Sequence, residues 1–178
     1  MSDFTPAYLV GRKNEGFYTN DPHDSGGETY AGISRINYPK WAGWEIIDKY
    51  QSLKHGQCVE DAELESLIKQ FYYNNFWQKM QGDLISLDKF SVYFYDWFIN
   101  SQTKAVMRLQ EIMGMQQTGN FGGMTLGKVN EYQDDALLKL IHERRVKFYN
   151  DHCALVPSDN KFLKGWLDRA NNLYGKLA

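Results

Sequence analysis

The stretch DKFSVYFYDWFINS, residues 88–101, is apolar on nearly every side of a helical wheel, with Asp96 and Asn100 as its polar exceptions. A segment that is apolar all round reads as a central, buried helix. It falls short of the ~20 apolar residues that a membrane-spanning helix needs. Asp96 and Asn100 lie one helical turn apart on one face. Because buried polar groups need partners, this pair is expected either to tie down the loop around residues 20–30 or to line the floor of a cleft.

Helical periodicity continues on both sides of this segment. Residues 103–113 form an amphipathic run that should stop at Gly114, and further helices are expected at about 124–131, 135–153 and 160–175. Towards the N-terminus, Asp61 opens a helix that turns Leu64, Leu67, Ile68 and Phe71 inward, and a shorter helix after Pro39 carries Trp41, Trp44 and Ile47. Thr5 followed by Pro6 reads as an N-cap and first-turn pair, so a first helix runs to about Gly16. Between Phe17 and Ile33 the residues are those of turns, with a short hairpin expected around Gly26-Gly27. The fold class is mainly α with at most a small β element near residues 18–33.

The 178 residues, 43% of them hydrophobic, suffice for one compact domain, and no linker or repeat interrupts them. A net charge of -2 does not favour nucleic acid or anionic membrane as a partner. Cys58 and Cys153 have no metal-ligand spacing and are expected as free thiols. Neither a signal-peptide run nor a membrane span is legible, so a soluble protein with no classical export signal is expected. The Trp residues are expected to be mostly core, with one free to stack on a flat ligand.

Several motif readings fail on inspection. His23, beside Asp21 and Asp24, lacks the paired spacing of a zinc site. His142-Glu143 has Val146 where a zinc protease needs its second His. The TGNFGG run at 118–123 lacks the Lys-Ser/Thr of a phosphate loop. No metal or other cofactor is therefore expected. What remains is Glu15, a carboxyl group near a helix end facing a polar loop, followed by Asp24 and Thr29. Glycoside hydrolysis needs one carboxyl held protonated and a second group that attacks the sugar or orients a water. These three residues have the right chemistry, although such triplets are abundant and turn-forming roles explain Asp24 and Thr29 as well.

The segment NEGFYTNDPHDSGGETYAGIS (14–34) resembles the EGGY…NDP.D.GG.T..GI signature of glycoside hydrolase family 108, the N-acetylmuramidase or secretion activator protein family. The likeness continues through FYYNNFW (71–77), YDWFINS (95–101), AVMRLQ (105–110), GNFGGMT (119–125), HERRVKFY (142–149) and FLKGWLDR (162–169), in order along almost the whole chain.

The resemblance implies a lysozyme-like helical fold that hydrolyses the β-1,4 bond between N-acetylmuramic acid and N-acetylglucosamine in peptidoglycan. Glu15 falls on the family's catalytic acid, with Asp24 and Thr29 as further catalytic candidates. Tyr18, Tyr30, Asp96 and Asn100 are candidate substrate-binding residues. By this likeness residues 1–91 form the catalytic region and 92–178 a helical region resembling a peptidoglycan-binding domain. The expected partner is the peptidoglycan glycan strand, met by a monomer that reaches the wall by non-classical or holin-like release.

Two other readings stay open: a non-catalytic wall-binding or secretion-accessory protein, and a lytic transglycosylase. Five positions, in four segments, depart from the family pattern. Phe17 replaces the second Gly of EGGY, Thr29-Tyr30-Ala31-Gly32 replaces T-N-Y-G, Gln102 replaces a Gly after Asn-Ser, and Thr118 replaces an Asp before Gly119.

Overall fold

The computed structural model describes residues 2–13, 15–20, 26–50 and 52–178. Within them the order is α1 (Phe4–Arg12), β1 (Tyr18–Thr19), β2 (Thr29–Tyr30), β3 (Ile33–Ser34), α2 (Gly43–Ile47) and α3 (Ala62–Tyr72). A π-helical turn (Tyr73–Trp77) follows, then α4 (Asp88–Ile112), α5 (Gly123–Val129), α6 (Asp134–Leu155) and α7 (Asn160–Leu177). The mainly α class with a small sheet is as the sequence led us to expect. Contacts divide the chain into two compact units, residues 8–75 and residues 1–7 with 76–178.

In the first of these units, the three strands pair antiparallel in the order β1-β2-β3. The tight turn lies elsewhere than expected. Tyr30 pairs with Ile33, so the β2–β3 hairpin turns on Ala31-Gly32, both at positive φ (+50° and +76°). That is the two-residue turn whose twist suits adjacent strands. Gly26 and Gly27 sit instead in the longer connection between β1 and β2.

Helix α3 begins as its sequence dictates, because the Asp61 carboxylate accepts the backbone N–H of Leu64 at 2.8 Å. Leu64, Ile68, Phe71 and Tyr72 are its buried face, while Leu67 is half-buried. At α1 the cap is Asp3, whose carboxylate accepts the Thr5 N–H at 2.8 Å, and the helix stops at Arg12. Asp3 supplies a carboxylate acceptor two residues before Thr5, which explains the shifted start.

The other unit is built on α4. Phe90, Tyr93, Phe94, Tyr95, Asp96 and Trp97 are fully buried, so the 88–101 segment is indeed a core helix. Its N-terminal N–H groups at Lys89 and Phe90 are satisfied by Asp134 from the start of α6, each at 2.9 Å. At its other end Met115 N–H bonds Gln110 C=O and Gly114 N–H bonds Glu111 C=O, with Gly114 at φ +67°. This is a glycine-terminated helix end of the Schellman kind, at the place the sequence marks. Buried Gln110 also holds the 118–125 run: its side-chain amide donates to Thr118, Asn120 and Thr125, and its oxygen accepts the Gly119 N–H. The Gly-rich run is thus a structural loop.

Helix α4 consists of two helical stretches, 88–101 and 103–112, that meet at a kink at Gln102, whose backbone is non-helical (φ +34°, ψ -112°). The family pattern has glycine at this position, and the backbone shows why: an L side chain is strained there. Replacing Gln102 by Gly is therefore expected to stabilise the protein by about 1 kcal/mol, the relief of strain exceeding glycine's entropic cost. A raised urea midpoint with unchanged m-value is the expected measurement.

On α6, His142 accepts or donates at 2.9 Å to the Tyr93 hydroxyl and lies flat on the Tyr174 ring, 4.1 Å between centroids. Burial, and then the nearby Arg145 cation, lower its pKa. The folded protein thus protonates His142 less readily than the unfolded chain does. Its contribution to stability is complete above the ordinary value of 6.5 and is lost as pH falls towards the folded pKa. Melting temperature should accordingly drop between about pH 7 and about pH 5 more steeply in the wild type than in His142→Gln.

Candidate active site

Glu15 stands three residues beyond the end of α1, in a half-buried bend completed by Gly16 at φ +68°. Two side chains on neighbouring elements hold this bend. Arg12, the last residue of α1, donates from Nη1 to the Gly16 carbonyl at 2.9 Å and lies 5.2 Å from the centre of the exposed Phe17 ring. Arg12 is itself steadied by Glu65 of α3, 3.3 Å from its Nε, and Glu65 also accepts the Tyr8 hydroxyl. A positively charged fork at the helix end thereby fixes the carbonyl next to Glu15.

The carboxyl group of Glu15 meets the hairpin at Gly32. A methyl group built on Gly32 would overlap both Glu15 Oε2 and the Tyr72 hydroxyl. Only a residue without Cβ lets the acid and the phenol approach the turn so closely, and φ +76° makes the same demand on the backbone. The Tyr72 hydroxyl, at the end of α3, donates its proton to the Ala31 carbonyl at 2.8 Å. Three elements, α1, the β2–β3 turn and α3, therefore converge at the acid.

The other candidates are placed as follows. Asp24 lies outside the described residues. Thr29 is half-buried on β2, and its hydroxyl donates to the Gly27 carbonyl at 3.2 Å. Tyr18 on β1 donates to Glu28 at 3.1 Å; burial and then this bond raise its pKa. Glu28 continues to Arg35, which pairs with Asp48 and lies over the Trp44 ring. Tyr30 is 1% exposed, and its hydroxyl accepts the Val59 N–H at 2.9 Å, so it braces the sheet from within.

Asp96 and Asn100 belong to the other unit. Asp96 is fully buried and accepts Arg145 at 2.8 Å and Arg169 at 2.8 and 3.1 Å. Asn100 donates back to the Asp96 carbonyl at 2.8 Å and is exposed. Tyr72, Gly32 and Arg12 were not singled out in the sequence. Of these, Gly32 and Tyr72 lie in segments that carry the family likeness, 14–34 and 71–77, whereas nothing local marks Arg12.

Chemically, a half-buried carboxyl beside a phenol on a glycine turn is suited to holding and delivering one proton. The sequence model of glycosyl hydrolase 108 matches residues 11–101, and the chain belongs to that family. A second model, described as a predicted peptidoglycan domain, matches residues 104–171. Together they tie the chain to glycoside hydrolysis and to peptidoglycan.

The structure of SagA from Brucella abortus is similar over 98% of this chain and 92% of that one, with 23% identity and a TM-score of 0.69, a likeness of fold. No curated protein matches the chain. No helix among the described residues is long and apolar enough to cross a membrane.

The fit at Gly32 yields a direct expectation. Gly32→Ala should cost about 1–2 kcal/mol from the left-handed backbone alone. It should also displace the Glu15 carboxyl, so that activity on cell walls falls further than the lost stability explains. Chemical denaturation and a turbidity assay on the same preparation check the two effects separately.

Proposed function

We propose that the protein is an N-acetylmuramidase that cleaves the β-1,4 bond between N-acetylmuramic acid and N-acetylglucosamine, with Glu15 as general acid. The observation that carries this reading is the seat of the Glu15 carboxyl against Gly32 and the Tyr72 hydroxyl. The Tyr72 hydroxyl is fixed there by the hydrogen bond it donates to the Ala31 carbonyl. Glycoside hydrolysis begins with a carboxyl group that carries a proton to the leaving oxygen. A protonated Glu15 suits the first step of glycoside hydrolysis.

In that step Glu15 gives its proton to the glycosidic oxygen as the bond from that oxygen to the sugar C1 breaks. The oxygen leaves as a hydroxyl. A water bonds to C1 from the opposite face and loses a proton to a base, for which Asp24 is the candidate. Thr29, with lone pairs remaining on its hydroxyl, orients that water. Tyr18 and Phe17 offer aromatic surface next to the acid for a sugar ring. Residues 1–91 carry this chemistry and residues 92–178 hold the wall polymer, in a protein that acts as a monomer after release from the bacterial cytoplasm.

Glu15→Gln keeps the shape of the side chain and removes the acid. Turnover of purified peptidoglycan should fall by roughly 10²- to 10⁴-fold, the usual contribution of a positioned proton donor. The circular dichroism spectrum should not change. Mass spectrometry of the wild-type products should show reducing ends. Products with 1,6-anhydro ends would identify a lytic transglycosylase, and full activity in the variant would remove Glu15 from the mechanism.

A further inference from the structure

The residues 1–7 and 76–178 unit contains a cleft of about 570 Å³ where the kink of α4 faces α6 and α7. Its volume is that of a pocket for a small ligand. The lining is chemically one-sided: Lys104, Arg145 and Arg169 are basic, and no lining side chain is a carboxylate. Asp96, behind the lining, accepts both guanidinium groups. Arg145 is wholly buried, and among the described residues its Nη1 has no hydrogen-bond partner. Lys104 at the rim is exposed. A cation beneath a low-dielectric floor and a second one at the mouth raise the potential that an anion meets on entry.

The wall of the cleft is aromatic. Half-exposed Phe148 and Trp166 flank Tyr149, with Tyr149 and Trp166 rings 5.4 Å apart. Flat, partly exposed rings suit the apolar face of a sugar or a peptide side chain. Exposed Asn100, from the family-like segment, stands on the opposite side with its amide directed to the α4 backbone.

We infer that this cleft binds a carboxylate-bearing unit of the peptidoglycan strand, with Lys104 pairing the carboxylate and Trp166 packing on the adjacent ring or side chain. The carboxylate is either the lactyl group of N-acetylmuramic acid or one from the stem peptide. The choice of ligand rests on the muramidase reading, whereas the site itself rests on the cleft.

The test uses the full chain carrying Glu15→Gln, so that ligands survive, and measures their dissociation constants by calorimetry. The probes are chitotetraose, which has no carboxylate, a peptide-free disaccharide of N-acetylglucosamine and N-acetylmuramic acid, and the same disaccharide bearing its stem peptide. Adding Lys104→Glu or Trp166→Ala should weaken binding of a carboxylate-bearing probe by about tenfold or more, one charge-assisted contact's worth. Lys104→Glu should leave chitotetraose unaffected, Trp166→Phe should retain most of the affinity, and Lys176→Glu on the exposed end of α7 should change nothing. Loss with both muramyl probes assigns the lactyl carboxylate, and loss with the peptide-bearing probe alone assigns the stem peptide.

Unchanged binding in Lys104→Glu and Trp166→Ala, or no binding of either muramyl probe, overturns the inference. A wild-type protein that binds in this way and does not cleave would instead refute the muramidase reading and leave the cleft standing.

Discussion

A single carboxylate, that of Asp96, sets the arrangement of the three long helices. It projects from α4 and accepts bonds from Arg145 of α6 and Arg169 of α7, two residues that follow it by 49 and 73 positions. Removing a charge from water costs several kcal/mol, so a buried carboxylate persists only where charged donors meet it in good geometry. Here the donors are planar forks that can each engage it at short range. Arg145 is further enclosed by Tyr93, Trp97 and Tyr149, with ring centres 5.2–6.0 Å from its guanidinium carbon. Any sliding of α6 or α7 along α4 would leave one of these charges unpaired in the interior. The packing of this unit is accordingly specified in register as well as in composition.

The residue 8–75 unit meets a different constraint. Its sheet has three strands of only two residues each and needs packing from its neighbours to be stable. It is held from inside by Tyr30, whose hydroxyl reaches the backbone at Val59, and by Tyr72, whose hydroxyl reaches the turn at Ala31. The same Tyr72 brings α3 to the place where Glu15 arrives from α1. Support of the turn and placement of the acid are thus one arrangement, which is why a side chain at Gly32 would disturb both.

Much of this was legible in the sequence, for reasons that can be named. The all-round apolar 88–101 segment, the Asp61 cap, the Gly114 stop and the last three helices rest on local periodicity and capping, which a linear reading sees directly. Cys58 and Cys153 are free, as expected. The misplaced hairpin turn shows the limit, because Ala31-Gly32 lacks the Asn or Asp that usually advertises such a turn. The partners of Asp96 were not legible, since guanidinium groups on two distant helices have no local signature. At the site, the signature pointed to Glu15, but the role of Tyr72 emerges only when α3 and the turn are brought together. Gln102 is instructive in another way: its departure from the family's glycine was visible, and the backbone supplied the reason.

The state of the two thiols bears on where such a protein can work. Cys153 is sealed within α6 at 2% exposure, and Cys58 is an exposed free thiol on a loop. Neither crosslinks any part of the fold. Cohesion comes from aromatic packing and the buried charge cluster, neither of which responds to the oxidising or reducing power of the medium. A chain of this design folds without a disulfide, so its cohesion is the same in reducing and oxidising surroundings and only the exposed Cys58 thiol is open to oxidation.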